Sequence, residues 1–266
     1  MYDFAYHRPA SLADAAKLIL EAGDNGKLMA GGQTLIPTMK QRLASPGTVV
    51  DLGGVKDLGG IKVEGNAVVI GATTTHAAVA SSKDVAAKIK ALAELADGIG
   101  DRQVRNLGTI GGSIANNDPA ADYPAAALGL GATITTNQRK IAADAFFKGL
   151  FETALEPGEI ITSVSFPAAE KAAYMKFRNP ASRYAIVGVF VAKTAGGVRV
   201  AVTGAGQGGV FRVPEMEKAL AADFSAKAIE GVKVPATNLN SDIHASAEYR
   251  AHLIGVMARR AVAAAG

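Results

Sequence analysis

Apolar residues in the first part of the chain switch from helical to strand spacing, which predicts an α/β unit. Apolar positions recur at helical spacing after Ser11, a good helix-capping residue. Two short apolar runs follow, at residues 27–30 and 48–52, and each predicts a strand. The first strand leads directly into a glycine-rich turn, AGGQTLIP, at residues 30–37. Pro37 argues against a regular helix after that turn, because proline lacks a backbone N–H and crowds the preceding helical turn.

The middle of the chain alternates short strands with alanine-rich helical segments. Two strands are predicted on either side of Gly65-Asn66, a dipeptide typical of tight hairpin turns. A threonine-rich segment then precedes a predicted helix, HAAVASS, and a second helix is predicted over residues 85–99. Farther along, the pattern predicts a helical segment, ADAFFKG, at residues 143–149 and a strand, IITSVSFP, at residues 160–167.

The last third of the chain has a different order, because its strands come before its helices. Three antiparallel strands and two helices are predicted, at residues 173–178, 184–193, 198–206, 214–222 and 246–264. This change of order places a domain boundary near residues 167–171.

Composition narrows the class of protein. Of the 266 residues, 49% are apolar, and no apolar run approaches the roughly 20 residues that a membrane-spanning helix needs. The N-terminus lacks the basic start and apolar centre of a secretory signal, so a cytoplasmic location is expected. There is no cysteine, which excludes disulfides and cysteine-ligated zinc or iron–sulfur sites within these residues. The charge of +4 is scattered along the chain, so nucleic-acid binding is not expected.

The stretch LGTIGGSIANNDPAADYP, at residues 107–124, is the most informative part of the sequence. Adjacent glycines can adopt positive φ and let a ligand approach the backbone. Successive N–H groups in such a turn can hold an anion, and Thr109 and Ser113 add hydroxyls at the rim. A lone Gly-Gly turn is usually structural. Together with the upstream turn at residues 30–37, however, it predicts a site for two adjacent phosphates, as in a dinucleotide.

Two carboxylates end this stretch. Asp122 beside a diphosphate would suffer like-charge repulsion unless it accepted hydrogen bonds from ribose or ribityl hydroxyls; the alternative is a helix N-cap for the segment that follows. Asp118 precedes Pro119 and fits a turn nearly as well as a ligand contact. Residues 204–209 formally match G-x-G-x-x-G, but no helix opens in that turn, so no nicotinamide site is assigned. The four histidines lack metal-ligand spacing and are expected at the surface or in helix caps.

Four segments together resemble one family, the medium, FAD-binding subunit of the molybdenum hydroxylases of the carbon monoxide dehydrogenase and xanthine dehydrogenase type. They are AGGQTLIP (30–37), TIGGSIANNDPAADYP (109–124), EPGEIITSVSFP (156–167) and SAEYRAHLIGVMARRAV (246–262). The resemblance implies an α+β fold with a two-subdomain FAD-binding domain of the vanillyl-alcohol-oxidase (PCMH) type over residues 1–167. The subdomains would cover about 1–54 and 55–167. A C-terminal domain of antiparallel sheet and helices would cover 168–266.

In that family the two glycine turns hold the pyrophosphate of FAD, and the resemblance implies the same role here. Asp122 matches a position that contacts the sugar-like hydroxyls, and Ile161 matches one packed near the isoalloxazine. Lys176 and Tyr184 fall near positions that flank the flavin ring. The implied cofactor-binding residues are Ala30, Gly31, Gly32, Gln33, Thr34, Leu35, Thr109, Ile110, Gly111, Gly112, Ser113, Asp118, Asp122, Ile161, Lys176 and Tyr184. No catalytic or metal-binding residue is implied.

Two features concern the surroundings of the flavin ring. A cation near the ring, at Lys176 or Arg178, would stabilise the anionic reduced flavin and raise its potential. Arg183 stands where an aspartate commonly precedes the aromatic residue of this family, so the ring environment is expected to differ.

The resemblance implies an electron-transfer subunit of a heterotrimer that doubles to a heterohexamer. A large molybdopterin subunit would hydroxylate the substrate, and a small subunit would pass electrons from [2Fe–2S] clusters to FAD in this chain. NAD, a quinone, a cytochrome or oxygen could be the external acceptor. Two alternatives stay open: a self-contained flavin oxidase or reductase of the same fold, and a nucleotide-binding assembly module without redox turnover.

Overall fold

The computed structural model describes residues 1–265. The first unit consists of β1 (Ala5–His7), α1 (Leu12–Ala22), β2 (Gly26–Met29), α2 (Leu35–Lys40) and β3 (Thr48–Asp51). Its strands form a parallel sheet in the order β1–β3–β2. Ser11 caps α1 by accepting a hydrogen bond from the N–H of Asp14 at 3.1 Å. The fully buried Ala15 of α1 and Val50 of β3 belong to the core of this unit.

Pro37 lies inside α2, so the expectation that it excludes a helix there is wrong. It is the third residue of this six-residue helix. The first N–H groups of a helix have no partner within the helix, so a proline in the first turn removes no hydrogen bond.

The second unit is built around a five-stranded antiparallel sheet. Its elements in chain order are β4 (Ile61–Glu64), β5 (Ala67–Gly71), α3 (His76–Ser81), α4 (Lys83–Asp97), α5 (Arg102–Leu107), α6 (Ile110–Asn116), α7 (Tyr123–Leu130), β6 (Thr133–Thr136), β7 (Lys140–Ala142), α8 (Ala143–Phe146), β8 (Phe147–Gly149), β9 (Glu152–Thr153) and β10 (Ile161–Pro167). The strand order is β4–β5–β10–β6–β7, and β8 pairs with β9 separately. The last strand in sequence therefore occupies the centre of the sheet, with the helical segments inserted before it.

Two parts of this unit differ from the sequence-based expectation. The segment predicted as helical at residues 143–149 is helical only in α8, because Phe147 extends and pairs with Thr153 of β9. The central stretch at residues 107–124, predicted as a turn, follows the short helix α5 and folds into α6 and the start of α7. The other predicted strands and helices of this unit are confirmed to within a few residues.

The third unit contains the predicted antiparallel strands and helices. They are β11 (Ala169–Arg178), β12 (Ala185–Thr194), β13 (Gly197–Thr203), β14 (Phe211–Arg212), α9 (Pro214–Ala222) and α10 (Ala247–Ala265). The strands follow one another in the order β11–β12–β13–β14. Val191, Val200 and Met257 lie in a buried cluster between this sheet and the helices.

The opposite face of the third sheet packs on the second unit. Phe190 and Ala192 of β12 and Ala201 of β13 belong to the same buried cluster as Phe166 of β10. Because side chains alternate along a strand, β12 contributes to two cores at once. The division at residue 167 and the subdomain limit near residue 54 stay predictions. Among residues 1–265, no helix is long and apolar enough to cross a membrane.

Candidate functional site

The first glycine turn, at residues 30–37, directly contacts the second glycine-rich segment, at residues 107–124, which begins with the second turn. A Cβ atom on Gly31 would overlap the Leu107 carbonyl, lying 2.6 Å from its carbon and 2.8 Å from the Cα of Gly108. A side chain at position 31 would therefore force the two segments apart. Gly32 has φ +68°, a backbone conformation that favours glycine. Ala30 lies opposite Gly112, since a Cβ on Gly112 would be 4.0 Å from that of Ala30.

The backbone of the first turn has donors to offer. Within the described chain, none of the N–H groups of residues 31–35 donates to a protein acceptor. Thr34 is exposed, and its side chain does not cap α2. A row of uncommitted N–H groups beside a hydroxyl is the donor set that suits a phosphate. That this turn holds a phosphate stays a prediction.

In the second turn, the N–H groups of residues 110–113 donate to acceptors within the protein. The expectation that these groups would face an anion is therefore wrong. The N–H groups of Ile110 and Gly111 donate to the carbonyls of Thr74 and Ala72, at 3.1 and 2.8 Å. Those of Gly112 and Ser113 donate to the side chain and the carbonyl of Thr109, the N-cap of α6, at 3.2 and 3.0 Å. These bonds hold the turn in helical geometry rather than at positive φ.

What the second turn offers instead is a fixed position and hydroxyl groups. A Cβ on Gly111 would lie 2.6 Å from the Cβ of Ala72, so this glycine permits close packing on the end of β5. The N–H of Ala72 in turn donates to the carbonyl of Thr162 in β10 at 2.9 Å. Thr109 and Ser113 carry the hydroxyls of this side. The two turns are thus joined to each other and to the central strand of the second sheet.

Asp122 forms a buried polar cluster with two residues of β11. Its carboxylate accepts a hydrogen bond from the hydroxyl of Tyr174 and pairs with the ammonium of Lys176 at 3.0 Å. Burial raises the pKa of Asp122, while the charge of Lys176 acts in the opposite direction. Asp122 occupies the N-cap position of α7, but its side chain makes no capping hydrogen bond there.

The remaining sequence-predicted residues occupy different environments. Asp118 accepts the N–H of Ala120 at 2.9 Å in a turn, and burial raises its pKa. Tyr184 is 47% exposed, and burial of its hydroxyl and the charge of Asp118 raise its pKa. Ile161 is buried in the main core at the start of β10, beside an irregularity in the pairing with β6. The structure therefore leaves Tyr184 the most accessible of these side chains.

A loop that sequence reasoning missed lies at the end of α4. Lys176 donates to the carbonyl of Gly98 at 3.0 Å, and Arg183 donates to that of Gly100 at 3.1 Å. Arg105 donates to the carbonyls of Ile99 and Gly100. Cationic side chains from three parts of the chain thus fix three successive carbonyls. The Gly-Ile-Gly spacing was the available signal, but nothing local indicated its partners.

The glycine-rich segment at residues 204–209 is a support rather than a nucleotide turn. Extended residues of β14 follow it, and α9 begins only at Pro214, so the rejection of a nicotinamide site agrees with the structure. The N–H of Gly204 and the hydroxyl of Thr203 donate to the carbonyl of Pro119, at 2.8 and 3.1 Å. This loop therefore fixes the segment between Asp118 and Asp122.

Comparison with known proteins places these features in a family. The family described as FAD binding domain in molybdopterin dehydrogenase matches residues 2–169. The chain is 39% identical to the carbon monoxide dehydrogenase medium chain of Afipia carboxidovorans, over 97% of this chain and 95% of that protein. It is 36% identical to the nicotine 6-hydroxylase medium subunit of Paenarthrobacter nicotinovorans, over 98% and 96% of the two chains.

A solved structure gives the same result for the fold. Reconstituted CO dehydrogenase from Oligotropha carboxidovorans contains a chain that matches with a TM-score of 0.90 and 37% identity, over 99% of this chain and 98% of that chain. The likeness covers both the FAD-binding part and the C-terminal part, which confirms the α+β fold predicted from sequence. The chain belongs to the family of medium, FAD-binding subunits of the molybdenum hydroxylases, an oxidoreductase family, and its cofactor is FAD.

Proposed function

We propose that this chain is the electron-transfer subunit of a heterotrimeric molybdenum hydroxylase, doubled to a heterohexamer. Its partners would be a small subunit with [2Fe–2S] clusters and a large subunit with the molybdopterin cofactor. Bound FAD supplies the ability to accept electrons one at a time and deliver two to an external acceptor. The chain has no cysteine of its own, so clusters with thiolate ligands would have to lie in a partner.

The observation that carries the proposal is the contact between the two glycine turns. Gly31 lies against Leu107 and Gly108, and the adjoining N–H groups of residues 31–35 have no protein acceptor in the described chain. We propose that these N–H groups and the hydroxyl of Thr34 hold one part of the pyrophosphate. The hydroxyls of Thr109 and Ser113 would hold the other part.

The groups around Asp122 would act on the remainder of the cofactor. A carboxylate held by Tyr174 and Lys176 is fixed in direction, and we propose that it faces the sugar-like hydroxyls. Because Lys176 and Asp122 are paired, their charges largely cancel, which limits repulsion of a nearby diphosphate. Tyr184 and Ile161 are proposed to lie near the flavin ring, with Tyr184 on the accessible side.

The first experiment measures cofactor binding and electron entry separately. The full chain, freed of cofactor and titrated with FAD, is expected to bind it and to show a flavin absorption spectrum. Mixed with its chemically reduced iron–sulfur partner subunit under anaerobic conditions, the flavin is expected to bleach. Addition of carbon monoxide or nicotine, the compounds in the names of two relatives, to the isolated chain is expected to leave the spectrum unchanged.

Each alternative has its own outcome in this experiment. A chain that stays colourless and does not bind added FAD would indicate a nucleotide-binding assembly module without redox turnover. Bleaching by substrate in the isolated chain would point to a self-contained flavin enzyme. Flavin that binds but is not reduced by the iron–sulfur partner would contradict the proposed direction of electron transfer.

A further inference from the structure

His76 is buried against the second glycine turn. The sequence analysis expected this histidine at the surface or in a helix cap. It is the first residue of α3 and is 5% exposed. The backbone N–H of His76 donates to the carbonyl of Gly108 at 2.9 Å. Thr75 pairs with Thr109 as an isolated antiparallel bridge. The start of α3 is therefore hydrogen-bonded, residue against residue, to the start of the turn.

The imidazole of His76 is the group that a side chain at position 108 would meet first, before the carbonyl oxygen of Val104 at 3.1 Å. A Cβ on Gly108 would lie 2.7 Å from Nε2 and 2.9 Å from Cδ2 of the ring. The backbone at Gly108, with φ −59° and ψ 139°, is one that any residue adopts. Conformational freedom therefore does not explain this glycine, whereas close packing on the imidazole does.

Gly108 is also in contact with the first turn. A Cβ on Gly31 would lie 2.8 Å from the Cα of Gly108. Gly108 is thus in contact with both the ring of His76 and the backbone of Gly31. A shift of the ring would be transmitted to the junction of the two turns, because packed groups leave no slack to absorb it.

The surroundings of the ring keep it uncharged at neutral pH. Nδ1 has no hydrogen-bond partner in the described chain, and the ring packs on that of Tyr123, with centroids 5.3 Å apart. Burial, assisted by the positive charge of Arg105, lowers the pKa of His76 to about 4. A neutral ring that makes no hydrogen bond through Nδ1 contributes shape and contact rather than charge.

We propose that His76 is a positioning residue for FAD binding, whose ring packs against Gly108 and thereby sets the distance between the two turns. The inference rests on the proposed role of those turns in holding FAD. It adds a residue that does not touch the cofactor and acts through Gly108.

The test is a set of four variants of the full chain, each measured for FAD affinity and for the melting temperature of the apo form. His76→Ala removes the support and is expected to weaken FAD binding about tenfold. Gly108→Ala forces the ring and turn apart, with a loss of about the same size. His76→Leu keeps an apolar group of similar bulk and is expected to bind within about threefold of the natural chain. The double variant His76→Ala/Gly108→Ala is expected to recover most of the affinity, since the new methyl group occupies space that the ring has vacated.

A control separates positioning from general destabilisation. Leu220→Ala removes a buried side chain from the separate core of the third unit and is expected to lower the melting temperature without changing FAD affinity below it. Unchanged affinity in His76→Ala, or an equal loss in His76→Leu and His76→Ala, would overturn the inference. If Gly108→Ala does not fold, the comparison of Leu with Ala at position 76 still decides. FAD binding by the natural chain is measured before that of the variants. Its failure to bind FAD would contradict the proposed function rather than this inference.

Discussion

The two glycine turns share a sequence signature but use their glycines for different physical reasons. In the first turn, Gly32 adopts positive φ, and the N–H groups of residues 31–35 lack protein acceptors within the described chain. In the second, Gly111 and Gly112 are helical, and their N–H groups donate to Ala72 and Thr109. A single motif thus covers one turn that presents donors and one that is packed into the protein.

This difference implies that the two turns contribute different groups to the proposed cofactor site. The first turn supplies N–H donors, and the second supplies hydroxyls at a position fixed by β5 and β10. Substitutions in the first turn should therefore change FAD affinity with little effect on the stability of the apo protein. Substitutions in the second turn should change both. The exception is Gly31, which belongs to the first turn but packs on the second.

Gly31→Ala is expected to have the largest effect on FAD affinity, because the new Cβ would meet backbone rather than a movable side chain. Overpacking costs about 3 kcal/mol at such a site, and FAD affinity is expected to fall by about 100-fold, since each 1.36 kcal/mol is about tenfold. Isothermal titration with FAD and urea unfolding of the apo chain measure the two quantities. Gly231→Ala is the matched control, since no atom lies within 4 Å of its Cβ position. Equal affinities for both variants would mean that the turns do not meet.

The ion pair that follows the second turn is expected to affect the stability of the apo chain rather than the junction of the two turns. Lys176→Met leaves the Asp122 carboxylate buried without its cation, and removal of one partner of a buried pair costs about 3–5 kcal/mol. The double variant Lys176→Met/Asp122→Asn is expected to cost less than the single one, because no charge is stranded. Urea unfolding measures both. The exposed Arg178, changed to Met, is the control and is expected to stay within about 0.5 kcal/mol of the natural chain.

The same variants test the hypothesis about the flavin ring. A cation at Lys176 or Arg178 that stabilises the reduced flavin would be revealed by a lower midpoint potential when that residue is replaced. An unchanged potential in both single variants would reject the hypothesis.

Local sequence signals identified the elements and the two turns, but not the contacts that explain them. Gly31 was found as part of a motif; its reason is Leu107, far away in sequence and invisible to local patterning. His76 is expected at the surface or in a cap because the four histidines lack metal-ligand spacing, and only tertiary packing buries it. Tyr174, the partner of Asp122, was missed because an aromatic residue on a strand is typical of any core. The sequence therefore predicts the positions that need glycine, but it does not predict which atoms of the folded protein exclude a side chain there.

The support of the second turn through β10 is expected to depend on pH. Just before that strand, the carboxylate of Glu159 accepts hydrogen bonds from Arg139 at 2.9 Å and from Thr136 at 2.7 Å. The bonds from Arg139 are the main reason that the pKa of Glu159 falls to about 2. Because this pKa lies below the unfolded value, the carboxylate stabilises the fold above about pH 4.5, and the contribution is lost as the pH falls toward 2.

Glu159→Gln isolates this contribution. The natural chain is expected to exceed the variant in stability by on the order of 2 kcal/mol at pH 7, and the gap is expected to close between about pH 4.5 and 2. Urea unfolding of both apo chains across this range measures the gap. A constant difference at all pH values would show that the charge of Glu159 is not what holds the start of β10.

The smallest effects make the sharpest comparison, because Thr34 and Thr109 are matched residues in the two turns. Thr109→Val removes the N-cap of α6, which costs about 1 kcal/mol, and also removes a proposed cofactor hydroxyl. Thr34→Val removes a hydroxyl that caps nothing, so apo stability is expected to stay within about 0.5 kcal/mol. Both variants are expected to bind FAD about tenfold more weakly, as for one lost hydrogen bond to a charged group. Melting temperatures of the apo chains and FAD titrations separate the two quantities. Equal loss of stability in both variants would show that the turns are built alike, since only a capping hydroxyl in the first turn could make Thr34 structural.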